Sequence, residues 1–395
     1  MRPVLAAADV RFPLQRANGV QILKTCAALA RAGADVTLLV RQSDPRPTPE
    51  LLAPYGLAPH ARLEIRRLEV GHKPGTFTVP RARFLWQAGR AALAAAGAGG
   101  VVFSRDLQLC ELLLRLKPRL RLAYEAHAVE ALMYRERGRL YGTGERPDER
   151  KARRIAAREA RVWRGAAGFV ATTAGIRDTF VELHGLRAHV RVVPNGCDVP
   201  GDRVFPGLAR NPEPRVLYAG QLYPWKGVDV LVEAVAGTPG ARLVILGGLP
   251  GENDLARVCQ RVAAHGLAGR VEMPGTVPQA RVAEELARAD VVAVPFLHTG
   301  MTERHTSPLK AFEALAAGRP IVASDLPSSR EVLAHEQNAL LVPPGDAHAL
   351  AAALQRLLDD AGLRERLARR AWADSERYSW DARARALLEL FEELP

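Results

Sequence analysis

The chain has 395 residues, of which 48% are hydrophobic and 25% charged. This balance is typical of a folded protein and excludes an intrinsically disordered one. The length exceeds what a single hydrophobic core usually serves and predicts two domains.

The positive charge is concentrated in the first half of the chain. The formal net charge is +12, and residues 1–200 hold 33 Lys and Arg against 18 Asp and Glu. An excess of this size favours an acidic partner, such as anionic lipid headgroups or a phosphorylated small molecule. A set of solvated arginines on helix surfaces is the alternative. Nucleic acid is disfavoured because no recognised binding motif accompanies the charge.

Targeting features are not found in the sequence. It begins with MRPVLAAADV, which predicts a strand rather than the basic start and long apolar stretch of a signal peptide. No run approaches the roughly 20 apolar residues of a membrane span. The cysteines have neither metal-ligand nor Cys-x-x-Cys spacing, which predicts reduced thiols; they are Cys26, Cys110, Cys197 and Cys259. We therefore expect a cytoplasmic protein, either free or attached peripherally to the inner face of the membrane.

Short apolar runs alternate with helical patterns through the first half, which predicts a parallel sheet covered by helices on both faces. The predicted strands are Val4–Ala8, Asp35–Val40, Leu63–Leu68, Gly100–Ser104, Leu120–Tyr124, Gly168–Ala171 and Val190–Val193. The predicted helices are Gly19–Arg31, Ala82–Ala96 and Arg150–Trp163.

A second alternation follows residues 194–214, where Pro, Gly, Asn and Asp predict a hinge. Its predicted strands are Arg215–Ala219, Arg242–Leu246, Val271–Met273, Val291–Val294, Ile321–Ser324 and Leu340–Val342. Its predicted helices are Val228–Val235, Asp254–His265, Gln279–Ala289 and Leu309–Ala317. Three more helices are predicted at the end, over Ala347–Asp359, Leu363–Ala373 and Trp380–Leu394.

Two turns that follow predicted strands carry residues suited to an anionic ligand. In FPLQRANG, Gly19 stands at the start of the first helix, where a glycine lets a ligand approach the backbone. In YAGQLYPWKG, Lys226 stands beside a glycine at a helix start, and a cation there stabilises charge on a phosphate. A solvated surface lysine is the alternative.

Two strand ends in the first half carry further candidates. His127 follows the strand that ends in YEA, and Glu125 and Glu130 flank it. A lone histidine is usually structural, but this position and these acids favour a functional role. Arg105 ends VVFSRD and is predicted either to contact a ligand or to pair with Asp106 or Glu125.

The most informative segment is ERHTSPLKAFEALAAGRPIVASDLPSSRE, from Glu303 to Glu331. It predicts a polar turn, a helix, a Gly-Arg-Pro stop, a buried strand and a second polar turn. The helix is predicted to begin near Ser307, with Pro308 at its first helical position. Its free N–H groups and positive dipole end suit a phosphate. Glu313, less than two turns further on, is placed to accept both hydroxyls of a ribose.

This segment resembles the donor-nucleotide site of the family 4 retaining glycosyltransferases. That family has the GT-B fold, in which two Rossmann-like α/β domains face each other across a cleft. Its motif is an acid, seven residues and a second acid, followed by a small-residue helix and a strand Gly-x-Pro-[Val/Ile]-[Val/Ile]-Ala-[Ser/Thr]. Glu313 matches the second acid, and GRPIVAS matches the strand.

The resemblance implies a role for each motif. Lys226 would contact the diphosphate of a nucleotide-sugar donor, and His127 would lie near the sugar carbon under attack, which makes these two the catalytic candidates. Gly275 and Val277 would pack against the nucleobase through the backbone. The implied donor-binding set is Gly19, Gln221, Lys226, Gly275, Val277, His305, Thr306, Ser307, Leu309, Lys310 and Glu313. Arg105 is the candidate on the acceptor side.

Two positions depart from the family's pattern. His305 stands where the first acid belongs, and a neutral imidazole is both donor and acceptor rather than an anion. Gln221 stands where family members commonly have an arginine. A branch of the family with Ser-Pro-Leu-Lys before the helix also lacks the first acid, and HTSPLKAFE is similar to it. Lys310 would then either supply the charge missing at Gln221 or point to solvent.

The resemblance also implies a domain division and a reaction. Residues 1–197 would bind the acceptor, residues 198–378 the nucleotide sugar, and helix 379–395 would pack back on the first domain. We expect sugar transfer from a nucleoside diphosphate sugar to a hydroxyl of a small-molecule, glycan or lipid-linked acceptor, with retained configuration and without a cofactor. We also expect no metal requirement, since no Asp-x-Asp motif appears. The alternatives are a non-catalytic nucleotide-sugar-binding subunit and a sugar-nucleotide epimerase or a phosphorylase on the same fold. A dinucleotide dehydrogenase is disfavoured because no Gly-x-Gly-x-x-Gly follows the first strand.

Overall fold

Two α/β units make up the chain in this computed structural model, which describes residues 2–13, 17–71, 79–202, 204–208, 211–248 and 253–395. The first unit comprises Met1–Leu132, Asp148–Gly196 and Trp380–Pro395. The second comprises Met133–Pro147 and Cys197–Ser379.

The first unit is built on a sheet of seven parallel strands in the order β3-β2-β1-β4-β5-β6-β7. The strands are β1 Val4–Phe12, β2 Val36–Gln42, β3 Leu63–Leu68, β4 Val101–Ser104, β5 Leu122–Ala126, β6 Gly168–Ala171 and β7 Val190–Val192. Every residue of β4, β5 and β6 is buried, because helices cover both faces of this part of the sheet.

The helices that precede residue 185 connect these strands. They are α1 Ala17–Arg31, α2 Thr48–Leu52, α3 Pro80–Gly97, α4 Leu107–Leu116, α5 Glu130–Leu140, α6 Glu149–Gly165 and α7 Ala174–His184. The sequence pattern predicted α1, α3 and α6 but missed the other four. The turn FPLQRANG is described only in part, since residues 14–16 lie outside the described residues.

The second unit has a sheet of six parallel strands in the order β10-β9-β8-β11-β12-β13. The strands are β8 Arg215–Ala219, β9 Arg242–Leu246, β10 Val271–Gly275, β11 Val291–Val294, β12 Ile321–Ser324 and β13 Leu340–Val342. Both sheets are therefore parallel and wound by helices, which confirms the predicted class of two Rossmann-like α/β domains.

The helices of the second unit are α8 Val228–Ala236, α9 Asn253–Ala264, α10 Gln279–Arg288, α11 Gly300–Arg304, α12 Leu309–Ala316, α13 Pro327–Arg330, α14 Ala347–Asp359 and α15 Ala361–Asp374. The helix predicted to begin near Ser307 is α12, and it begins at Leu309. Pro308 has extended φ and ψ angles and precedes the helix as its N-cap, so its predicted place at the first helical position is wrong.

The last helix, α16, runs from Trp380 to Glu393 and belongs to the first unit. It packs along α1, and the exposed ion pair between Arg31 and Asp381, at 2.6 Å, joins the two helices. Arg383, on the buried side of α16, is only 3% exposed. A guanidinium buried this deeply requires partners, and it finds them among residues of the first unit.

Candidate functional site

Lys226 lies in the turn that connects β8 to α8 in the second unit. Pro224–Lys226 form one 3-10 turn, and Gly227 follows with a φ of 73°. A side chain at Gly227 would run into the carbonyl oxygen of Pro295, so only glycine fits there. The Leu297 N–H donates to the Trp225 carbonyl at 2.9 Å, which ties this turn to the residues after β11.

The ammonium group of Lys226 is enclosed by aromatic rings. Its Nζ atom lies 3.9 Å from the centre of the Trp225 ring and 4.4 Å from that of Phe296. Burial lowers the pKa of Lys226 to about 7. No carboxylate of the described residues forms an ion pair with this lysine. Lys226 is half-buried rather than a fully solvated surface lysine, and an anion could bind here to balance its charge.

The loop between β11 and α12 is firmly anchored. Thr299 caps α11 in a capping box with Thr302, whose hydroxyl also donates to the Leu297 carbonyl at 2.6 Å. Ser328 donates to the Thr302 carbonyl at 2.5 Å. Because the carboxyl ends of β8 and β11 lie side by side in the sheet, this loop and the Lys226 turn stand at the same edge.

The sequence-predicted residues of that loop lead directly into α12. His305 is 7% exposed and ends α11, and its N–H donates to the Met301 carbonyl at 2.9 Å. The Thr306 hydroxyl donates to the same carbonyl at 3.2 Å. Ser307 and Leu309 are half-buried, and Pro308, the N-cap residue of α12, makes no side-chain cap to the first turn. N–H groups at a helix start are donors for an anion.

Glu313 of α12 accepts hydrogen bonds from two neighbouring side chains. Lys310 Nζ donates to its Oε2 at 2.6 Å, and Gln279 Nε2, at the start of α10, donates to its Oε1 at 3.1 Å. Lys310 is thus an ion-pair partner of Glu313, and its role as a phosphate cation stays a prediction. Gln279 was missed by sequence reasoning because an amide after Pro278 carries no signal of its own.

A cavity of about 350 Å³ adjoins this contact. The polar residues that line it are Gln279, Glu313, Asp198 and Arg319, and Ala283, Leu286 and Ala316 form much of its apolar side. An apolar cavity with a few convergent polar groups is the usual form of a small-molecule site.

The remaining predicted residues of the second unit lie at strand ends. Gly275 closes β10 with a φ of 78°, and its carbonyl accepts from the Gly247 N–H at 2.9 Å. Val277 follows in the half-buried loop before α10. Gln221 is half-buried after β8, and its carbonyl accepts from the Tyr218 hydroxyl at 2.5 Å. The ends of β8, β9 and β10 thus present mainly backbone groups.

In the first unit, His127 follows the end of β5. Its side chain is 18% exposed, and its Nε2 lies 2.9 Å from Oε2 of the fully buried Glu125. Burial, followed by the charge of Arg105, holds the pKa of His127 well below its usual value, so the imidazole is neutral. Gly19 lies in the first turn of α1 and is buried.

Arg105 lines a second cavity, of about 400 Å³, at the carboxyl end of β4. Asp106 pairs with Arg81 at 2.5 Å, and Glu125 pairs with Arg383. The prediction that Arg105 pairs with Asp106 or Glu125 is therefore wrong. Its Nη1 instead approaches Gln21 Oε1 at 3.5 Å, and burial lowers its pKa to about 10.

Glu130 lines the same cavity as Arg105. Burial, reinforced by Asp106, raises its pKa to about 7. A guanidinium and a carboxyl group that share a cavity without pairing are suited to a hydroxyl-rich ligand that carries negative charge.

The described ranges contain neither a membrane-spanning helix nor a metal-binding cluster. None of their helices is both long and apolar enough to cross a bilayer. No cluster of three His, Cys, Asp or Glu side chains among them is arranged to hold a metal ion.

The fold defines a class of protein with two Rossmann-like α/β units, and comparison with known proteins indicates which members of that class it resembles. Residues 203–373 match the family model "Glycosyl transferases group 1", and residues 18–196 match "Glycosyl transferase 4-like domain". These matches and the two parallel sheets support a GT-B glycosyltransferase.

Three known proteins illustrate the similarity. The D-inositol 3-phosphate glycosyltransferase of Xylanimonas cellulosilytica is 34% identical over 249 residues, 59% of this chain and 58% of that protein. The chain thus spans about half the length of the curated relatives it matches. The structure of sucrose-phosphate synthase from Thermosynechococcus elongatus has a TM-score of 0.75 at 23% identity, over 100% of this chain and 99% of that one. HepE from Anabaena, solved in complex with UDP-glucose, has a TM-score of 0.73 at 18% identity over 100% of both chains.

Proposed function

We propose that this chain is a family 4 retaining glycosyltransferase, which moves a sugar from a nucleoside diphosphate sugar to an acceptor hydroxyl. The observation that carries the proposal is the half-buried side chain of Lys226, which packs on two aromatic rings, has no carboxylate partner among the described residues and stands at the carboxyl edge of the second sheet. A diphosphate would supply the missing negative charge.

The nucleotide sugar would bind the second unit. Lys226 and the N–H groups of the first turn of α12 would hold the diphosphate, and Glu313 would accept the ribose hydroxyls. Gly275 and Val277 would pack against the base through their backbone. HepE, a structural neighbour, was solved with UDP-glucose, which supports a uridine nucleotide as the first donor to test.

Catalysis would consist mainly of charge stabilisation. As the bond from the sugar to the diphosphate breaks, negative charge grows on the leaving phosphate, and Lys226 and the α12 N–H groups would stabilise it. The leaving phosphate would take the acceptor's proton as the acceptor attacks from the same face, so the configuration is retained. His127, neutral at physiological pH, would contact the donor sugar as a hydrogen-bonding group rather than as a cation.

The acceptor would bind the first unit, in the cavity lined by Arg105 and Glu130. The excess positive charge of residues 1–200 favours a phosphorylated or lipid-linked acceptor, and a relative is named for inositol 3-phosphate. The same charge would attach the protein peripherally to the inner face of the cytoplasmic membrane. We propose that transfer needs neither metal nor cofactor, so turnover would be unchanged by EDTA.

A donor and acceptor panel tests this function. UDP, GDP and ADP sugars are each offered with inositol, inositol 3-phosphate and a lipid-linked glycan, and products are identified by mass spectrometry. The one-bond C–H coupling at the new anomeric carbon then gives the configuration. Inversion would exclude a retaining enzyme, and donor conversion without acceptor would indicate the epimerase alternative. Nucleotide binding with no turnover for any pair would indicate the non-catalytic subunit.

A further inference from the structure

A chain of buried polar contacts leads from the last helix of the first unit to His127. Arg383 of α16 pairs with Glu125 Oε1, and the other oxygen of that carboxylate, Oε2, lies 2.9 Å from His127 Nε2. The Glu125 side chain is 0% exposed and that of Arg383 2% exposed. The whole path therefore runs in a desolvated interior. His127 Nε2 is buried and makes no hydrogen bond of accepted angle, so its contact with Glu125 is the close approach of a carboxylate.

The guanidinium of Arg383 has a fixed orientation. Its Nη1 donates to the carbonyls of Val193 and Pro194, at 2.7 Å each, and its Nε donates to Thr25 Oγ1 at 3.1 Å. These contacts leave Nη2 to face Glu125 Oε1. Because a guanidinium is planar and its donors form a rigid fork, the four contacts define where the carboxylate stands, and a lysine could not reproduce them.

Gln21 of α1 braces the same carboxylate from another side. Its Nε2 lies 3.4 Å from both carboxylate oxygens of Glu125, and its Oε1 lies 3.5 Å from Arg105 Nη1. Gln21 is 1% exposed, so neither side of its amide exchanges these contacts for water. Arg383 thus holds Oε1 of Glu125, and the Gln21 amide contacts both carboxylate oxygens. Oε2 faces the imidazole of His127.

We propose that Arg383 and Gln21 are positioning residues that act through Glu125 to set the tautomer and orientation of His127, so that α16 takes part in the transfer reaction. This inference rests on the proposed function, because it assigns His127 a contact with the donor sugar. A carboxylate facing Nε2 favours the tautomer with its proton on Nε2. His127 Nδ1 would then be the acceptor offered to a sugar hydroxyl.

The Glu125→Gln variant tests the tautomer directly. Arg383 would keep the amide oxygen, so the NH₂ group would face His127 Nε2 and the ring proton would move to Nδ1. Long-range ¹H–¹⁵N spectra of imidazole-labelled protein report this change, and the His127 signals are assigned by their loss in His127→Gln. We expect Nε2–H in the wild type and Nδ1–H in Glu125→Gln.

Kinetics tests whether the positioning matters to the reaction. We expect Glu125→Gln, Gln21→Leu and Arg383→Met to lower kcat by about 10- to 100-fold, as the loss of orienting partners does elsewhere, with little change in the donor KM. Arg31→Gln is the matched control, since it removes the exposed link between α1 and α16 and leaves Glu125 untouched. Its kcat should equal that of the wild type.

The outcomes separate this inference from the proposed function. A protein that shows no turnover with any donor and acceptor contradicts the proposed function, yet its spectra still test the tautomer. Wild-type spectra and kcat in Glu125→Gln and Gln21→Leu, with only a lowered Tm, would overturn the inference. The contact between Arg383 and Glu125 would then serve only to fix α16 in the first unit. Arg383→Met is interpreted only if its circular dichroism is that of a folded protein, and the other two variants decide the matter if it is not.

Discussion

The Lys226 ammonium nitrogen lies 3.9 Å from the centre of the Trp225 ring, its immediate neighbour in the chain. Cation–π attraction to this ring and to Phe296 replaces part of the hydration that the ammonium loses on burial. The replacement is incomplete, because the pKa of Lys226 is lowered to about 7. The protonated form of Lys226 is thus costly in this apolar setting, and a ligand that carries negative charge would relieve that cost.

Replacement of Lys226 should remove much of the catalysis. We expect Lys226→Ala to lower kcat by about 10²- to 10³-fold, since one charge-stabilising contact to a leaving group contributes about 3–4 kcal/mol. Steady-state rates with the donor identified by the panel measure the effect. Lys117→Ala, a lysine after α4 in the first unit, is the control and should have wild-type rates. A near-wild-type kcat for Lys226→Ala would contradict the role of Lys226 at the diphosphate.

The lowered pKa of Lys226 predicts that donor binding takes up a proton. Above pH 7 the free protein holds this lysine mainly neutral, and a bound diphosphate favours the ammonium. Donor affinity should therefore fall as the pH rises from about 7 to 9. Titration calorimetry at pH 8 in two buffers of different ionisation enthalpy measures the proton uptake.

The matched control for proton uptake is Lys226→Arg, because a guanidinium stays charged at every pH of the experiment. This variant should bind the donor without a buffer-dependent enthalpy. Equal uptake in both proteins would show that another group titrates. The same pKa gives a stability trend: between about pH 7 and 10.5 the unfolded chain binds a proton that the folded one does not, so this lysine's contribution to stability rises with pH.

The strands were the part of the fold most open to prediction. β8 and β9 begin and end where the sequence pattern placed them, since a buried parallel strand is a short apolar run bounded by polar residues. Helix α4 was missed because its ten residues, LQLCELLLRL, form a short apolar run that periodicity alone does not distinguish from a buried strand; six of them are buried. Helix α5 was missed for the opposite reason, since EALMYRERGRL has few apolar residues to form a period.

The site was predictable where it depends on residue type at a strand end, as with Lys226 and His127. It was not predictable where it depends on packing between distant segments. Arg383 and Glu125 are 258 positions apart, and nothing local marks either as the other's partner. The pairing of Lys310 with Glu313 and Gln279 is likewise a product of how α10 and α12 meet.

Glu313 is expected to act on donor affinity rather than on the chemical step. Loss of a half-buried carboxylate that accepts ribose hydroxyls costs about 1–3 kcal/mol, so Glu313→Ala should raise the donor KM by about 5- to 150-fold with little change in kcat. Gln279→Met is the matched variant, because it removes one partner of Glu313 and keeps the carboxylate and Lys310 in place. Its donor KM should rise less. A donor Kd unchanged in Glu313→Ala, measured by calorimetry, would remove the ribose role.

The basic surface of α6 is expected to bind anionic membranes. Arg150, Arg153 and Arg154 are exposed and pair with no carboxylate of the described residues, whereas Arg158 and Arg161 of the same helix pair with Glu111. A cation near an anionic surface contributes about 1 kcal/mol. Changing the first three to glutamine should thus weaken binding to vesicles of phosphatidylglycerol and phosphatidylcholine by about 100-fold at low salt, as measured by co-sedimentation.

A control of equal charge shows whether the position of these arginines matters or only their number. Arg356, Arg366 and Arg369 are exposed on α14 and α15 of the second unit, and changing them to glutamine lowers the net charge by the same amount. This variant should bind anionic vesicles as the wild type does. Because exposed charges are screened within about 10 Å at 0.1 M salt, the wild-type affinity should also fall steeply as salt is added. Equal binding to neutral and anionic vesicles, or equal losses in the two triple variants, would contradict a membrane-binding role for the arginines of α6. These arginines would then be solvated residues on a helix surface.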